Sequence, residues 1–538
     1  AYNSDYSREN DIKIYIPLSQ AFDYCSSCSN DFHTRIAYSE QKSLESTADE
    51  FLTFLANNYR DLPQNKGDIV KLFVQDHNLY AHLENTLFQV PTNTQRFTAT
   101  DTNVFVGANA FMAIEPIEVK SINEGYLGTK HQWAHLTTEL GTLFISEEKI
   151  FLLGEGLMEI SNQGLRRYFI DNKLRFPDAF RELLLSFSSS STTEYTFADS
   201  PASHRGVGWQ AAYDRIYKRI ILHKKDYDIL FGLGSVNSPI GFWGTKNTAI
   251  TYLDGSIVLN ADTGWFEQYH ADTDEFIELY LTDTTLFENK SITLSFDVEE
   301  KYWISFHSYL PQYLFNTYNK WYSLTVDLST RTILGVTLPV FTTTAYQHNT
   351  GNYLQYYGDY YDHIIELVSK ETPTASVTKS VGYVGLAREY DNTYKQWRDL
   401  PNVTFTKSWL YNDTQSTGLL TNVITNGNGN PFISILYSPT EVYLYKADKT
   451  WKLNSFKDYA VTPATVPFST SSWTDLQSSY FIDKIPNVVA HDVTQSQYTI
   501  KKFRDKYITT RFYFTPNEIN NYKLLTQFVF TNQKESIR

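Results

Sequence analysis

The amino-acid sequence predicts a mainly β protein: a β-propeller with a helical insertion and a mixed N-terminal region. Three observations carry that expectation. Aromatic residues make up 16 % of the 538, with 40 Tyr and 35 Phe, and flat rings favour the pleated faces of strands. From about residue 100 onward, short apolar runs alternate with polar turns. An aromatic-Asp motif recurs at a spacing near twice that of a propeller blade.

Taken in chain order, residues 1–100 read as mixed α/β. Ile12, Ile14, Ile16 and Leu18 alternate as in a strand. Ser43–Tyr59 carries Ala48, Phe51, Leu52 and Leu55 at helical spacing, with Ser46 or Thr47 as its cap. Ile69–Phe73 and Leu79–Leu83 form an expected strand pair across Asp76–Asn78. The propeller is expected over 101–455. Thr142–Ser146, Lys149–Leu153 and Leu157–Ile160 read as three strands joined by tight turns. The same sentence recurs at 248–269, through the hairpin signal Asp254-Gly255, and at 433–453. Residues 456–538 read as a closing region with a pair of strands, Lys501–Phe514 and Lys523–Phe530, expected to close the fold together.

The motif is Tyr213-Asp214, three residues, Lys218, Arg219, Ile220, Ile221. It matches Phe296-Asp297, three residues, Lys301, Tyr302, Trp303, Ile304, and the two Asp lie 83 positions apart. The hairpins at Ile150 and Ile257 are 107 apart, an excess of 24 over that spacing. The excess falls where the pattern turns helical, at Gly164–Phe187, so a helical insertion is expected at about 164–190. The alternative is an all-β sandwich in which this similarity has no meaning.

Composition narrows the function. The chain has 60 acidic and 46 basic residues, a net charge of −14. Gripping nucleic acid relies on cations that neutralise phosphates, so a DNA-gripping role is disfavoured. An acidic surface that DNA slides past remains compatible. No apolar run approaches the ~20 residues of a membrane-spanning helix, and no membrane insertion is expected. The polar start, Ala1–Asp11, does not read as a signal peptide. A first residue Ala1 suits a processed or trimmed piece. Two cysteines cannot build a disulfide framework.

No catalytic, cofactor-binding or metal-ligating residue is expected, and no cofactor. Cys25-Ser-Ser-Cys28 has no second CxxC, with His33 the one further ligand in view. His131 and His135 have HxxxH spacing, but Gln132 stands where a hydrolytic zinc site needs Glu. His270-Ala-Asp272-Thr-Asp274-Glu275 lacks the glycine and distal Glu of a calcium loop. Asn426–Asn430 reads as a turn and lacks the Lys of a phosphate cradle. Asn260–Trp265 and Lys446–Trp451 are incomplete relatives of the Asp-box turns of sialidase-like propellers. They motivate the alternative function, a phage or bacterial glycan-binding propeller, with paired carboxylates if it is a glycosidase.

Five segments carry a family resemblance: Gly125–Ser161, Leu165–Ile170, Tyr213–Tyr227 (YDRIYKRIILHKKDY), Asp297–Pro311 (DVEEKYWISFHSYLP) and Lys506–Phe512 (KYITTRF). Over roughly residues 100–538 the chain resembles the muzzle, stabilisation or tail-nozzle proteins of crAss-like bacteriophages. The first hundred residues show no such likeness. The resemblance implies a non-enzymatic structural protein of a virion, made in the host cytoplasm, in the tail of a short-tailed phage. It implies a nozzle subunit forming the distal part of the DNA-ejection channel. Its partners would be other tail proteins and further copies in a homo-oligomeric ring, a hexamer by family likeness. DNA would pass without specific binding. Arg166, Arg167, Lys173, Arg175 and Arg181 in the helical insertion are expected to meet the acidic surface of a neighbouring copy.

Overall fold

The computed structural model describes residues 32–40, 52–76, 78–92, 96–99, 102–105, 112, 115–121, 125–146, 149–154, 156–187, 201, 206–230, 241–243, 257–260, 265–270, 275–284, 286–317, 319–333, 336–369, 376–391, 393–412, 415–424, 441–447, 449–454, 504–505, 507–515 and 522–536. The expected strand Ile12–Leu18 lies outside these residues.

Four sheets follow one another along the chain, and each packs on the next. The first has five strands: Ile69–Gln75, Asn78–Leu83, Leu87–Val90, Ile117–Ser121 and Gly125–Tyr126. The second is the meander expected from the sequence, Leu136–Thr138, Gly141–Ser146, Lys149–Leu153 and Leu157–Glu159, all antiparallel. The third is Gly208–Asp214, Arg219–Lys225, Ile292–Asp297 and Tyr302–His307. The fourth is Tyr313–Asn316, Trp321–Ile333 and Val336–Gln347.

The stacking follows from period-2 alternation on strands that are apolar on both faces. In the meander, Phe144, Phe151 and Leu153 pack with Phe73 and Leu87 of the first sheet. Their neighbours Leu143, Ile145, Ile150 and Leu152 pack the other way, on Trp209, Tyr213, Ile220 and Phe296 of the third. The third sheet then turns Ala212 and Ile221 toward Leu314 and Trp321 of the fourth. Gly128 makes the first junction close: a Cβ there would overlap the Glu84 carbonyl oxygen.

The helical insertion is where the sequence placed it, as Arg166–Asp171 and Phe176–Phe187. Tyr168 and Phe169 of the first helix join the core between the second and third sheets. Phe176 and Phe180 of the second pack with Tyr227, Trp265, Phe266 and Phe287, from an insertion between the two middle strands of the third sheet. Pro177 sits in the first helical turn, where its missing N–H is harmless.

That insertion overturns the reading of the 83-residue spacing. The two Asp motifs close adjacent hairpins of one sheet, with Arg219 paired to Asp297 and Ile220 to Phe296. What the motif encodes is a hairpin turn. Asp214 Oδ1 accepts from the N–H of Ile216 at 3.1 Å and of Tyr217 at 3.4 Å. Asp297 Oδ1 accepts from Glu299 and Glu300, both at 2.9 Å. Lys218 and Lys301 close the turns at φ 52° and 59°, a left-handed conformation uncommon for lysine. A third copy closes the hairpin between Ser376–Asp391 and Gln396–Leu400: Asp391 accepts from Thr393 and Tyr394, with Lys395 at φ 52°.

Three further expectations change. Residues 43–51 of the expected helix Ser43–Tyr59 lie outside the described residues; its last part, 52–58, is not α-helical, with Leu52 and Leu55 exposed, and Tyr59 opens a strand that pairs with Arg35–Ala37. Asn57-Asn58 favours turns over helix. Of the three strand–turn sentences, only the meander is described whole; the opening strands of the other two, 248–253 and 433–437, lie outside the described residues. Ile257–Asn260 and Trp265–His270 lie inside the third sheet's insertion, and Glu441–Ala447 and Thr450–Asn454 belong to a ten-stranded sheet. The closing strands do not pair with each other. Ile508–Phe514 lies between His363–Ser369 and Lys407–Tyr411, and Tyr522–Ser536 pairs with Ser376–Asp391.

A buried ion pair ties the helices to the third sheet. Lys224 Nζ is 2.8 Å from Asp226 Oδ2, both essentially buried, and also donates to the carbonyls of Asn172 and Lys173. Asp226 accepts from the backbone N–H of Arg175, Phe176 and Tyr227, so it caps the second helix from across the fold. Asp226→Ala is expected to lower the unfolding free energy by about 3–5 kcal/mol, because it strands a buried ammonium. Lys224→Met should cost less, since three backbone N–H groups still hold the carboxylate. Equilibrium urea unfolding of the two variants, followed by tryptophan fluorescence, measures the difference.

Candidate functional site

Of the sequence candidates, only the HxxxH segment is described whole. Cys25 and Cys28, Asn426–Asn430, and the loop between His270 and Glu275 lie outside the described residues. Gln132–Ala134 is a single 3-10 turn, so HxxxH does not put both imidazoles on one α-helical face. His135 instead meets His82, with Nε2 2.9 Å from His82 Nδ1. His82 Nε2 in turn lies 2.7 Å from the Leu127 carbonyl.

The carbonyl can only accept, so His82 donates through Nε2 and accepts at Nδ1 from His135. Both rings are neutral in this arrangement. Burial pulls the His82 imidazole down to about 4. Burial, then electrostatic interaction with the His82 ring and with Lys71, holds His135 well below the usual range. Phe73 and Phe144 flank the pair, with ring centroids 5.1 and 6.0 Å from His135. The pair thus lies in the apolar seam between the first two sheets. Among the described residues, no three His, Cys, Asp or Glu side chains group as a metal site would require.

The structure also assembles a hydroxyl–imidazole contact with no local sequence signal. Ser323 Oγ lies 2.6 Å from His348 Nε2 and 2.8 Å from the Tyr357 hydroxyl. His348 stacks on Trp321 at 3.6 Å, and burial lowers its imidazole to about 3. In distance this is the nucleophile–base half of a hydrolase site. Ser323 is fully buried, however, so Oγ presents no face to a substrate. The trio satisfies buried polar groups at the base of the fourth sheet, where Asn349 also donates to Asp214.

The cations of the helical insertion mostly find partners in their own chain. Arg167 pairs with Asp171, Lys173 and Arg181 with Asp178, and Arg175 with Glu182 and Asp228. Arg167, Lys173, Arg175 and Arg181 thus already have partners within the chain. The local carboxylates, spaced at one helical turn or just across the sheet, reach them first.

The model of the Crassvirus muzzle protein family matches residues 1–180, the family that the resemblance named. The match suggests a structural protein of a phage virion. It spans the first two sheets and the start of the helical insertion, and it includes the first hundred residues, where the resemblance had found nothing. Gly125–Ser161 and Leu165–Ile170 fall inside it. No curated protein matches the chain. Among the described residues, no helix is long and apolar enough to cross a membrane.

The buried neutral histidines set a pH dependence. His82 titrates near 6.5 when unfolded and at about 4 when folded. The unfolded chain therefore binds the extra proton between these values, and stability falls as pH drops from 6.5 toward 4. His82 alone accounts for about 3 kcal/mol at most. Urea midpoints measured across this window should fall with pH. His82→Gln, which keeps a donor for Leu127, should flatten the curve by up to one proton's worth of slope.

Proposed function

We propose that this chain is a subunit of the tail nozzle of a short-tailed bacteriophage and forms the distal part of the DNA-ejection channel. The observation that carries this reading is the match of residues 1–180 to the Crassvirus muzzle protein family. The serial stack of sheets supports a propeller: each sheet faces the next, as blades do around an axis. Sheets that bury both faces make a stiff wall, which a nozzle under internal pressure needs.

The working form is a cyclic homo-oligomer, a hexamer by family likeness, and a head-to-tail interface closes when the rotation per copy divides the circle. A net charge of −14 suits a bore past which DNA moves without sticking. The protein has no catalytic step in this role; its partners are other tail proteins and the passing genome. Native mass measurement and imaging of assembled tails are expected to give a ring with carboxylates outnumbering cations along its bore. A single copy per tail, or a bore rich in Lys and Arg, would overturn the reading.

One observation favours glycan binding as a second reading. Trp397 lies half-exposed between Tyr353 and Tyr390, with centroids at 5.6 and 5.3 Å, and the Arg388–Asp399 pair lies alongside. Such an aromatic platform suits the apolar face of a sugar ring. Calorimetric titration with capsular oligosaccharides is expected to show binding that Trp397→Ala abolishes if this reading holds, and no heat if the protein is a nozzle subunit alone.

A further inference from the structure

The fourth sheet narrows from three strands to two. Tyr313–Asn316 pairs with Trp321–Ile333 only as far as Leu324, while Trp321–Ile333 and Val336–Gln347 stay paired through to Ile333 and Val336. Among the described residues, no strand pairs with the outer edge of residues 325–333 or with that of Val336–Gln347. A two-stranded ribbon is marginal in water by itself, and an open edge is a template for another strand.

The two edges differ. The Leu324 carbonyl accepts from the Gln312 N–H at 2.7 Å, so it points to the edge that Tyr313–Asn316 covers. By alternation, the N–H and C=O groups of Val326, Leu328, Thr330 and Thr332 line the same edge further on. None of these residues is proline, so every donor is present. Pro339 is in register with Thr330 and turns its nitrogen to the opposite outer edge, where it offers no N–H to a further strand. The edge of 325–333 is thus complete, and the other is blunted at its middle.

The charges on the complete edge strand are symmetric about its midpoint. Asp327 and Arg331 are the only charged residues between Tyr322 and Gln347. Their register partners in the ribbon, Thr342 and Leu338, carry no charge. Residues 325–333 centre on Ser329, with Asp327 and Arg331 two places to either side. A second copy laid antiparallel, Ser329 opposite Ser329, brings Asp327 of each copy opposite Arg331 of the other. Cross-strand pairs of opposite charge favour such a register. It also pairs Val326 with Thr332 and Leu328 with Thr330, the residues whose backbone groups line the edge. The next register in phase, two residues along, separates the charges.

We propose that residues 325–333 pair antiparallel with the same residues of a second copy, about a twofold axis at Ser329, joining two ribbons into one four-stranded sheet. An isologous contact closes on itself, so it covers the open edge without propagating strand addition. It is a different interface from the head-to-tail contact of the proposed ring and does not rest on it.

The test measures self-association of the full chain by sedimentation, with circular dichroism to check folding. Asp327→Arg and Arg331→Asp each place like charges opposite one another in both halves of the contact. Each should weaken association by about tenfold. An equimolar mixture of the two variants restores opposite charges, as does the double variant Asp327→Arg/Arg331→Asp, and both should recover the wild-type affinity. With Cys25 and Cys28 changed to Ser, Ser329→Cys should give a disulfide-linked dimer on oxidation, and Thr342→Cys, on the blunted strand, should not. Equal association of all the charge variants, or no cross-link through Ser329→Cys, overturns the proposal. A ring by native mass in every variant, without that cross-link, keeps the nozzle reading and removes this contact. A cross-link that follows the charge swaps in a chain that never forms a ring sustains this contact and removes the ring.

Discussion

A sheet that is apolar on both faces cannot be stable alone, and this constraint organises the molecule. The Gly141–Ser146 and Lys149–Leu153 hairpin has residues with one set of side chains facing the first sheet and the alternate set facing the third. Each neighbour inherits the same demand on its far side. The result is a run of sheets ordered along the chain, each one the lid of the last. Burial of a large aliphatic or aromatic side chain contributes about 1.5–3 kcal/mol, so separating any two sheets would expose several such contributions together.

Polar groups caught in this stack are handled by pairing. Lys224 and Asp226 satisfy each other and the ends of two helices. His82 and His135 pass a single hydrogen-bond direction from one sheet to the next. Ser323 hydrogen-bonds both His348 and Tyr357 within the fourth sheet's surroundings. In the ten-stranded sheet, Arg511 and Glu366 pair, the Nε–Oε2 contact being 2.6 Å, with the guanidinium fully covered. Each pair is weak evidence of net stabilisation but strongly fixes geometry, since breaking one leaves a charge or donor unsatisfied.

Local features were legible in the sequence and long-range ones were not. The meander at 142–160, the strand pair at 69–83 and the helices at 166–187 all announce themselves through spacing of two or of three to four. The turn at Asp391 was readable too. Tyr390-Asp391, three residues, then Lys395-Gln396-Trp397 repeats the motif, but Arg398 stands where the other two copies have Ile. By contrast, sequence distance could not reveal which strands are neighbours, because a 227–289 insertion separates strands that lie side by side. Contacts such as Ser323–His348 or Lys224–Asn172 have no local pattern at all; they exist because distant strands were brought into register.

The ten-stranded sheet has a consequence for how the protein is made. Thr406 donates its N–H to the Tyr513 carbonyl at 2.8 Å across 107 residues, and Ile508–Phe514 fills the slot between His363–Ser369 and Lys407–Tyr411. On the ribosome the earlier strands emerge first and wait with that slot open, while the stacked N-terminal sheets can already close in order. Pairings of such long range form slowly. Two strand edges bordering the slot are therefore the surfaces most in need of protection during synthesis, and translation must deliver the filling strand before another chain's edge finds the gap.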